Sequence, residues 1–182
     1  DVSIAKLPVI FCVDRAGVVG ADGVTHQGIY DFSMMRSIPH LVICQPRDAE
    51  DLEALLDEAI ERGGPTLIRY PRGEAPKKVD ISLKKDTPQF CIVAIGDQYP
   101  KACILGEMFS ADVVCARYLK PFDNNNINGY RSKGLKIVTI ENSSIVGGLG
   151  EMIGADFTFG WPDEFIPHGD ISSLDKAYGL AV

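Results

Sequence analysis

Six short apolar runs constrain the fold more than any other feature of the sequence. They are continuous rather than alternating in polarity, they contain β-branched residues, and helical or turn-rich stretches separate them. Strands that are buried on both faces of a parallel sheet have this pattern. The sequence therefore predicts an α/β protein with mainly parallel sheets flanked by helices. The runs lie at residues 7–13, 41–45, 66–70, 90–96, 112–118 and 136–141.

The stretch between the second and third runs has the spacing of an amphipathic helix. Asp48 stands where a helix cap is expected, and Gly63 and Gly64 supply the stop. Five apolar residues fall on one face of this predicted helix, and we expect that face to be buried. They are Leu52, Leu55, Leu56, Ala59 and Ile60.

A change in composition between residues 73 and 88 predicts a domain boundary. This stretch is polar, contains prolines and carries four lysines, and a new strand-like run begins at Phe90. We place the boundary near residue 85. The predicted units are residues 1–85 and 86–182.

Composition excludes several classes of protein. The net charge of −7 argues against nucleic acid or an anionic membrane as the main partner, and no apolar run approaches the length of a membrane-spanning helix. The five cysteines are odd in number and show no C-x-x-C spacing, which fits a reducing, intracellular setting and gives no metal site. The chain begins at Asp1 with a strand that nothing precedes, so we expect a fragment.

Two arginines follow apolar runs that would place them at the same edge if the two strands are parallel in one sheet. Arg15 follows the run at 7–13, and Arg72 follows the run at 66–70. In open α/β sheets ligands bind beyond the carboxyl ends of the strands, and paired guanidinium groups suit a phosphate or a carboxylate. The alternative is that each arginine pairs with a neighbouring aspartate such as Asp14 or Asp22.

The glycine-rich loop after the first run also carries a histidine. His26 follows Asp22 by four positions, and an imidazole suits proton transfer near neutral pH. The alternative is an exposed histidine without a role. Glycines in this loop permit close approach to a ligand or a long turn, and they match neither usual nucleotide-binding motif. A second group, at residues 147–150, could approach a phosphate, but tight packing is the favoured reading.

Three motifs carry a resemblance to a known family. "DRAGVVGADGVTHQG", "SIPHLVICQPRD" and "RYPRGEAP" resemble the 1-deoxy-D-xylulose-5-phosphate synthases, thiamine-diphosphate enzymes of the transketolase superfamily. The resemblance continues through "ARYLKPFD", "VGGLGEMI" and "WPDEFIPHGD". It implies the end of the pyrimidine-binding domain followed by the carboxyl-terminal domain. The family's metal and diphosphate motif and its cofactor-activating glutamate are not matched.

The resemblance implies a role for each matching residue. Arg15 and Arg72 would hold the phosphate of D-glyceraldehyde 3-phosphate, and Asp22 would lie near the hydroxyl of this acceptor. His26 would lie at the reactive centre of the cofactor, so that both Asp22 and His26 are candidate catalytic residues. In the family, the cofactor adds to pyruvate, carbon dioxide leaves, and the remaining two-carbon unit attacks the aldehyde.

The resemblance also implies a setting. It predicts thiamine diphosphate and magnesium as cofactors, a homodimer, isoprenoid and thiamine precursor biosynthesis, and the bacterial cytoplasm or the plastid stroma. With the main cofactor ligands outside the chain, we expect no activity from the chain alone. Other possibilities are another transketolase, the β component of a 2-oxoacid dehydrogenase, or a non-catalytic dimerisation module.

The sequence departs from the family pattern in the second unit. Asn142 and Ser143 replace residues that are usually an acidic residue and a glycine, and residues 96–100 replace a glycine-rich turn. "Gly96-Asp97-Gln98", with the asparagines from residue 124, partly resembles the magnesium and diphosphate motif of thiamine enzymes. Because Gln98 and Pro100 break that motif, we expect a solvated turn there.

Overall fold

The computed structural model describes residues 1–79 and 83–181, and within these ranges it contains eight strands and six α-helices. The strands are β1 (Ile10–Val13), β2 (Val42–Cys44), β3 (Thr66–Arg69), β4 (Phe90–Ile95), β5 (Asp112–Ala116), β6 (Tyr118–Lys120), β7 (Lys136–Ser144) and β8 (Phe157–Trp161). The helices are α1 (Asp31–Met35), α2 (Ala49–Arg62), α3 (Tyr99–Met108), α4 (Asn124–Ser132), α5 (Leu149–Ile153) and α6 (Ile171–Ala177). All six apolar runs therefore contain a strand, as predicted.

The first sheet has the strand order β1-β3-β2-β6. Its first three strands are parallel, and Val13 of β1 lies opposite Arg69 of β3. The edge strand β6 is antiparallel to β2. The apolar run at 112–118, which was predicted as one strand, is thus divided, because the chain leaves β5 and crosses to the first sheet.

The second sheet has the order β5-β4-β7-β8, and all of its strands are parallel. The edge strand β8 was not predicted. Its sequence, FTFGW, alternates apolar residues with Thr158 and Gly160, so it lacks the continuous apolar run of the inner strands. Phe157 and Phe159 are about half exposed on this strand.

The ends of α2 agree with the prediction. The side chain of Asp48 accepts a hydrogen bond from the backbone N–H of Asp51 at 2.8 Å, which satisfies one of the free donors of the first turn. Gly63 ends the helix in the left-handed conformation, with φ of 63°.

The buried face of α2 is narrower than predicted. Leu55 and Ala59 are buried with residues of β2 and β3, including Cys44 and Ile68. Leu56 and Ile60 are 39% and 64% exposed, so their assignment to the buried face was wrong. The buried residues of the helix are Asp51, Leu55 and Ala59, and Leu52 is partly buried beside them.

The two sheets share one buried core. Ile43 and Leu67 of the first sheet belong to the same apolar cluster as Val93 and Ile137 of the second. The predicted fold class, two units with mainly parallel sheets flanked by helices, is confirmed. The boundary near residue 85 stays a prediction, and β6 pairs with the first sheet although it follows that position.

None of the helices in the described ranges is long and apolar enough to cross a membrane. The cysteines are all free thiols, and Cys12 is exposed while Cys44, Cys91 and Cys103 are buried.

Candidate functional site

The carboxyl ends of β1 and β3 bring two arginines to one edge of the first sheet. The two strands are parallel, and the register places Val13 beside Arg69, so the segments that follow leave the sheet together. Arg15 stands two residues beyond β1, and Arg72 stands three residues beyond β3. The prediction that these arginines share an edge required β1 and β3 to be parallel in one sheet, and the structure shows this pairing.

Both arginines bind the same carboxylate oxygen. Arg15 Nε donates to Asp22 Oδ2 at 3.3 Å, and Arg72 Nη1 donates to that atom at 2.5 Å. Arg15 Nη1 also donates to Asp14 Oδ2 at 2.5 Å. The side chains of Arg15, Arg72 and Asp22 are 39%, 57% and 23% exposed, so solvent reaches all three.

The structure agrees with both interpretations of these arginines, an anion site and pairing with neighbouring aspartates. The arginines converge, as an anion site requires, and they also pair with Asp14 and Asp22, as the alternative requires. The hydrogen bond from Arg72, followed by that from Arg15, lowers the pKa of Asp22 below its usual value. Asp22 therefore stays ionised at neutral pH.

His26 lies on the same loop in an exposed position. It ends a short 3₁₀ turn, Val24–His26, and its Nδ1 lies 3.0 Å from the hydroxyl oxygen of Thr25. The structure therefore places His26, exposed, on the loop that carries Arg15 and Asp22. A role for His26 at a cofactor stays a prediction.

Two glycines close the loop at its base. Gly17 and Gly28 each donate a backbone hydrogen bond of 2.8 Å to the other's carbonyl oxygen. A Cβ atom on Gly28 would lie 1.9 Å from the carbonyl oxygen of Arg15, so only glycine fits there. Arg15 has φ of 64°, which is rare for a residue other than glycine. Ala16 N donates to Tyr70 O at 2.9 Å and helps to fix this conformation.

Comparison with known proteins identifies relatives along the whole chain. The family described as "Transketolase, pyrimidine binding domain" matches residues 1–78. A 1-deoxy-D-xylulose-5-phosphate synthase from Caldanaerobacter subterraneus is 38% identical and aligns with 99% of this chain and 33% of its own length. The synthase from Thermus thermophilus is also 38% identical, over 99% of this chain and 32% of its own length.

The chain is related to the 1-deoxy-D-xylulose-5-phosphate synthases.

The chain spans about a third of the length of these curated synthases. Among solved structures, one described as "Split gene transketolase, inactive beta4 tetramer" is 28% identical with a TM-score of 0.83, and it covers 99% of this chain and 65% of its own. A transketolase from Pichia stipitis has a TM-score of 0.77 at 22% identity over 98% of this chain and 29% of its own, which shows the shared fold. The family resemblance predicted from the motifs is confirmed.

The sequence did not predict a buried arginine, Arg69, at the base of the loop between β1 and α1. The Arg69 side chain is fully buried; Nε and Nη2 donate to the two carboxylate oxygens of Asp31, each at 2.8 Å. Nη1 donates to Gln45 Oε1 at 2.8 Å and to Asn142 Oδ1 at 3.1 Å, and Nη2 donates to the carbonyl of Gly28 at 3.0 Å. Arg69 thus connects the base of the loop to the second sheet. The only signal in the sequence was an arginine inside the apolar run at 66–70.

Asp97 extends this polar contact between the units. It accepts hydrogen bonds from the side-chain amides of Gln45, of Asn142 at 2.9 Å and of Gln98 at 2.9 Å. Burial raises the pKa of Asp97 to about 6, although the Gln98 hydrogen bond and the Arg69 charge act in the opposite direction. The solvated turn that was expected here is instead a half-buried contact between the units.

The glycines before α5 serve the fold. The backbone amides of Leu149 and Gly150 donate to the Glu141 carboxylate at 2.8 and 3.0 Å, so the chain's own carboxylate occupies the amides that could have approached a phosphate. Burial raises the pKa of Glu141. A Cβ atom on Gly150 would lie 2.1 Å from Thr158 Oγ1, which confirms tight packing as the reason for glycine.

An open cavity of about 860 Å³ lies between the two units. Its lining is mostly aromatic and aliphatic, and it includes Phe90, Phe157 and Phe159 of the second sheet. Arg72 and Asp97 also line it.

The described residues fit an anion better than a metal-bound diphosphate. Within residues 1–79 and 83–181, no group of three or more His, Cys, Asp or Glu side chains is placed to hold a metal ion. Asp97, the carboxylate of the motif-like turn, already accepts three amide donors. The edge of the first sheet, with two guanidinium groups at one point, suits a phosphate monoester.

Proposed function

We propose that the chain supplies the acceptor-binding part of a 1-deoxy-D-xylulose-5-phosphate synthase. Such an enzyme condenses pyruvate with D-glyceraldehyde 3-phosphate and releases carbon dioxide. The observation that carries the proposal is the convergence of Arg15 and Arg72 on one oxygen atom at the edge of the first sheet. A guanidinium pair of this kind suits the phosphate that distinguishes the acceptor from pyruvate.

Each residue of the loop has a place in this proposal. Arg15 and Arg72 bind the phosphate, Asp22 lies at the acceptor's hydroxyl, and the exposed His26 is a candidate catalytic residue at the cofactor. Thiamine diphosphate, held with magnesium by residues outside the matched third, would supply the chemistry that makes the pyruvate carbon nucleophilic. The bacterial sources of the curated relatives favour the bacterial cytoplasm over a plastid.

The first experiment compares the chain with a joined protein. Given pyruvate, D-glyceraldehyde 3-phosphate, thiamine diphosphate and magnesium, the 182-residue chain alone is expected to form no 1-deoxy-D-xylulose 5-phosphate. The chain joined to the part of the Caldanaerobacter synthase that it does not match is expected to form it. Product from the chain alone would contradict the assignment of the cofactor ligands to other residues. A folded, cofactor-binding joined protein without product would contradict the proposed function.

A second candidate function is a non-catalytic assembly module. One comparison favours it, because a solved structure that is 28% identical over nearly the whole chain is described as an inactive tetramer of a split gene transketolase. Measuring the mass of the chain in solution, with and without thiamine diphosphate, separates the two candidates. An oligomer that neither binds nor responds to the cofactor, together with an inactive joined protein, would favour the module.

A further inference from the structure

The carboxylate of Asp22 lies where the two guanidinium groups of the proposed acceptor site meet. Arg15 Nε and Arg72 Nη1 approach the same atom, Asp22 Oδ2, at 3.3 and 2.5 Å. A phosphate that both arginines bind needs an oxygen atom at this point. Asp22 and such a phosphate therefore compete for the same donors.

The local charges are balanced before any anion arrives. Arg15 and Arg72 carry two positive charges, and Asp14 and Asp22 carry two negative charges at distances of 2.5 to 3.3 Å. The arginines hold the pKa of Asp22 low, so protonation does not remove this carboxylate near neutral pH. An incoming anion gains net attraction only when Asp22 gives up its contacts.

The Asp22 side chain is partly open to solvent. It is 23% exposed and stands at the end of a short 3₁₀ turn, Gly20–Asp22. The backbone around it is fixed separately, since Gly17 pairs with Gly28. A change of side-chain rotamer at Asp22 can therefore free both arginines without unfolding the loop.

We propose that Asp22 is a specificity-determining residue that acts as an internal competitor for the acceptor's anion site. When a monoanionic carboxylate such as that of pyruvate displaces Asp22, one carboxylate takes the place of another, and the net electrostatic attraction to the arginines changes little. A phosphate dianion brings a second charge and a third oxygen, and it displaces Asp22 from Arg15 and Arg72. The identity of the ligand as the acceptor's phosphate rests on the proposed function.

The test measures anion binding by the 182-residue chain and needs no catalysis. Inorganic phosphate and acetate are titrated by calorimetry at pH 8 into the wild type and into Asp22→Asn. We expect the variant to bind phosphate about fivefold more tightly, because a competing charge that contacts both guanidinium groups is removed. We also expect acetate binding to become measurable in the variant. Arg72→Ala should lose the phosphate site in both backgrounds.

A matched control separates competition from net charge. Asp57→Asn changes the charge by the same amount on the exposed side of α2, and its phosphate affinity should equal that of the wild type. Weaker or unchanged phosphate binding in Asp22→Asn, or no binding in either protein, overturns the inference. Asp22 would then orient the arginines rather than compete with the ligand. The proposed function fails on a different result, the absence of product from the joined protein, whatever the sign of the Asp22→Asn effect.

Discussion

Arg69 shows at the scale of one residue how the two units are connected. Its buried guanidinium binds Asp31, the carbonyl of Gly28 and the side chain of Asn142. Asn142 in turn donates to Asp97, so a continuous chain of hydrogen bonds runs from the candidate loop to the second sheet. Breaking a buried pair of this kind costs about 3–5 kcal/mol, because a charge remains buried without compensation.

Asp97 predicts a measurable pH dependence of stability. Its pKa is raised from 3.8 to about 6 in the folded protein, so the unfolded chain releases the proton first as the pH rises. This carboxyl group therefore lowers the free energy of unfolding between about pH 4 and pH 6, by up to about 3 kcal/mol. In urea unfolding from pH 4 to pH 7, Asp97→Asn should gain stability relative to the wild type as the pH rises. Asp57→Asn, which changes an exposed aspartate, should follow the wild type, and parallel curves for Asp97→Asn would refute the prediction.

The sequence predicted the exposed residues of the candidate site better than the buried ones. Arg15 and Arg72 could be placed at one edge because both follow apolar runs typical of parallel strands, and the structure pairs β1 with β3 in parallel. Arg69 could not be placed, since its partner Asn142 lies 73 residues away and no local pattern marks the pair. The role of Asp97 was missed for the same reason.

Among the elements, the loop between β1 and α1 depends most on one backbone contact. Gly28 lies against the carbonyl of Arg15, and a Cβ there would approach the oxygen to 1.9 Å. We expect Gly28→Ala to lower the free energy of unfolding by about 2 kcal/mol or more and to weaken phosphate binding, because the loop base must open.

A second glycine provides the matched control. Gly129 lies within α4, and a Cβ there would meet no atom within 4 Å. Gly129→Ala should therefore raise the free energy of unfolding by about 1 kcal/mol, as alanine does in a helix interior, and leave phosphate binding unchanged. Urea unfolding of both variants checks the pair. Equal effects at the two positions would mean that the close approach at Gly28 is not present in solution.

The elements themselves were predictable where a long pattern exists. The run at 136–141 gave β7, and the cap and stop of α2 were placed to within one residue. The strand β8 was missed because its apolar residues alternate with Thr158 and Gly160 and form no continuous run. The strand β6 pairs with β2 of the first sheet through long-range contacts, which the sequence of a three-residue segment does not indicate.

In the whole molecule, the two units pack directly against each other. They share a buried core, the strand β6 joins the first sheet from beyond the predicted boundary, and the Arg69 contacts link the loop to Asn142. Substitutions in the second unit are therefore expected to affect the conformation of the loop between β1 and α1. We propose that this loop binds the phosphate of the acceptor.

The most direct test of this claim is steady-state kinetics of Arg72→Ala in the joined synthase. The loss of one charged hydrogen-bond donor to a phosphate corresponds to about tenfold or more in affinity. The KM for D-glyceraldehyde 3-phosphate should therefore rise at least about tenfold, while the KM for pyruvate stays unchanged. Arg36→Ala, which removes an arginine paired with Glu151, serves as the control and should change neither value. An equal rise in both KM values for Arg72→Ala would contradict the account.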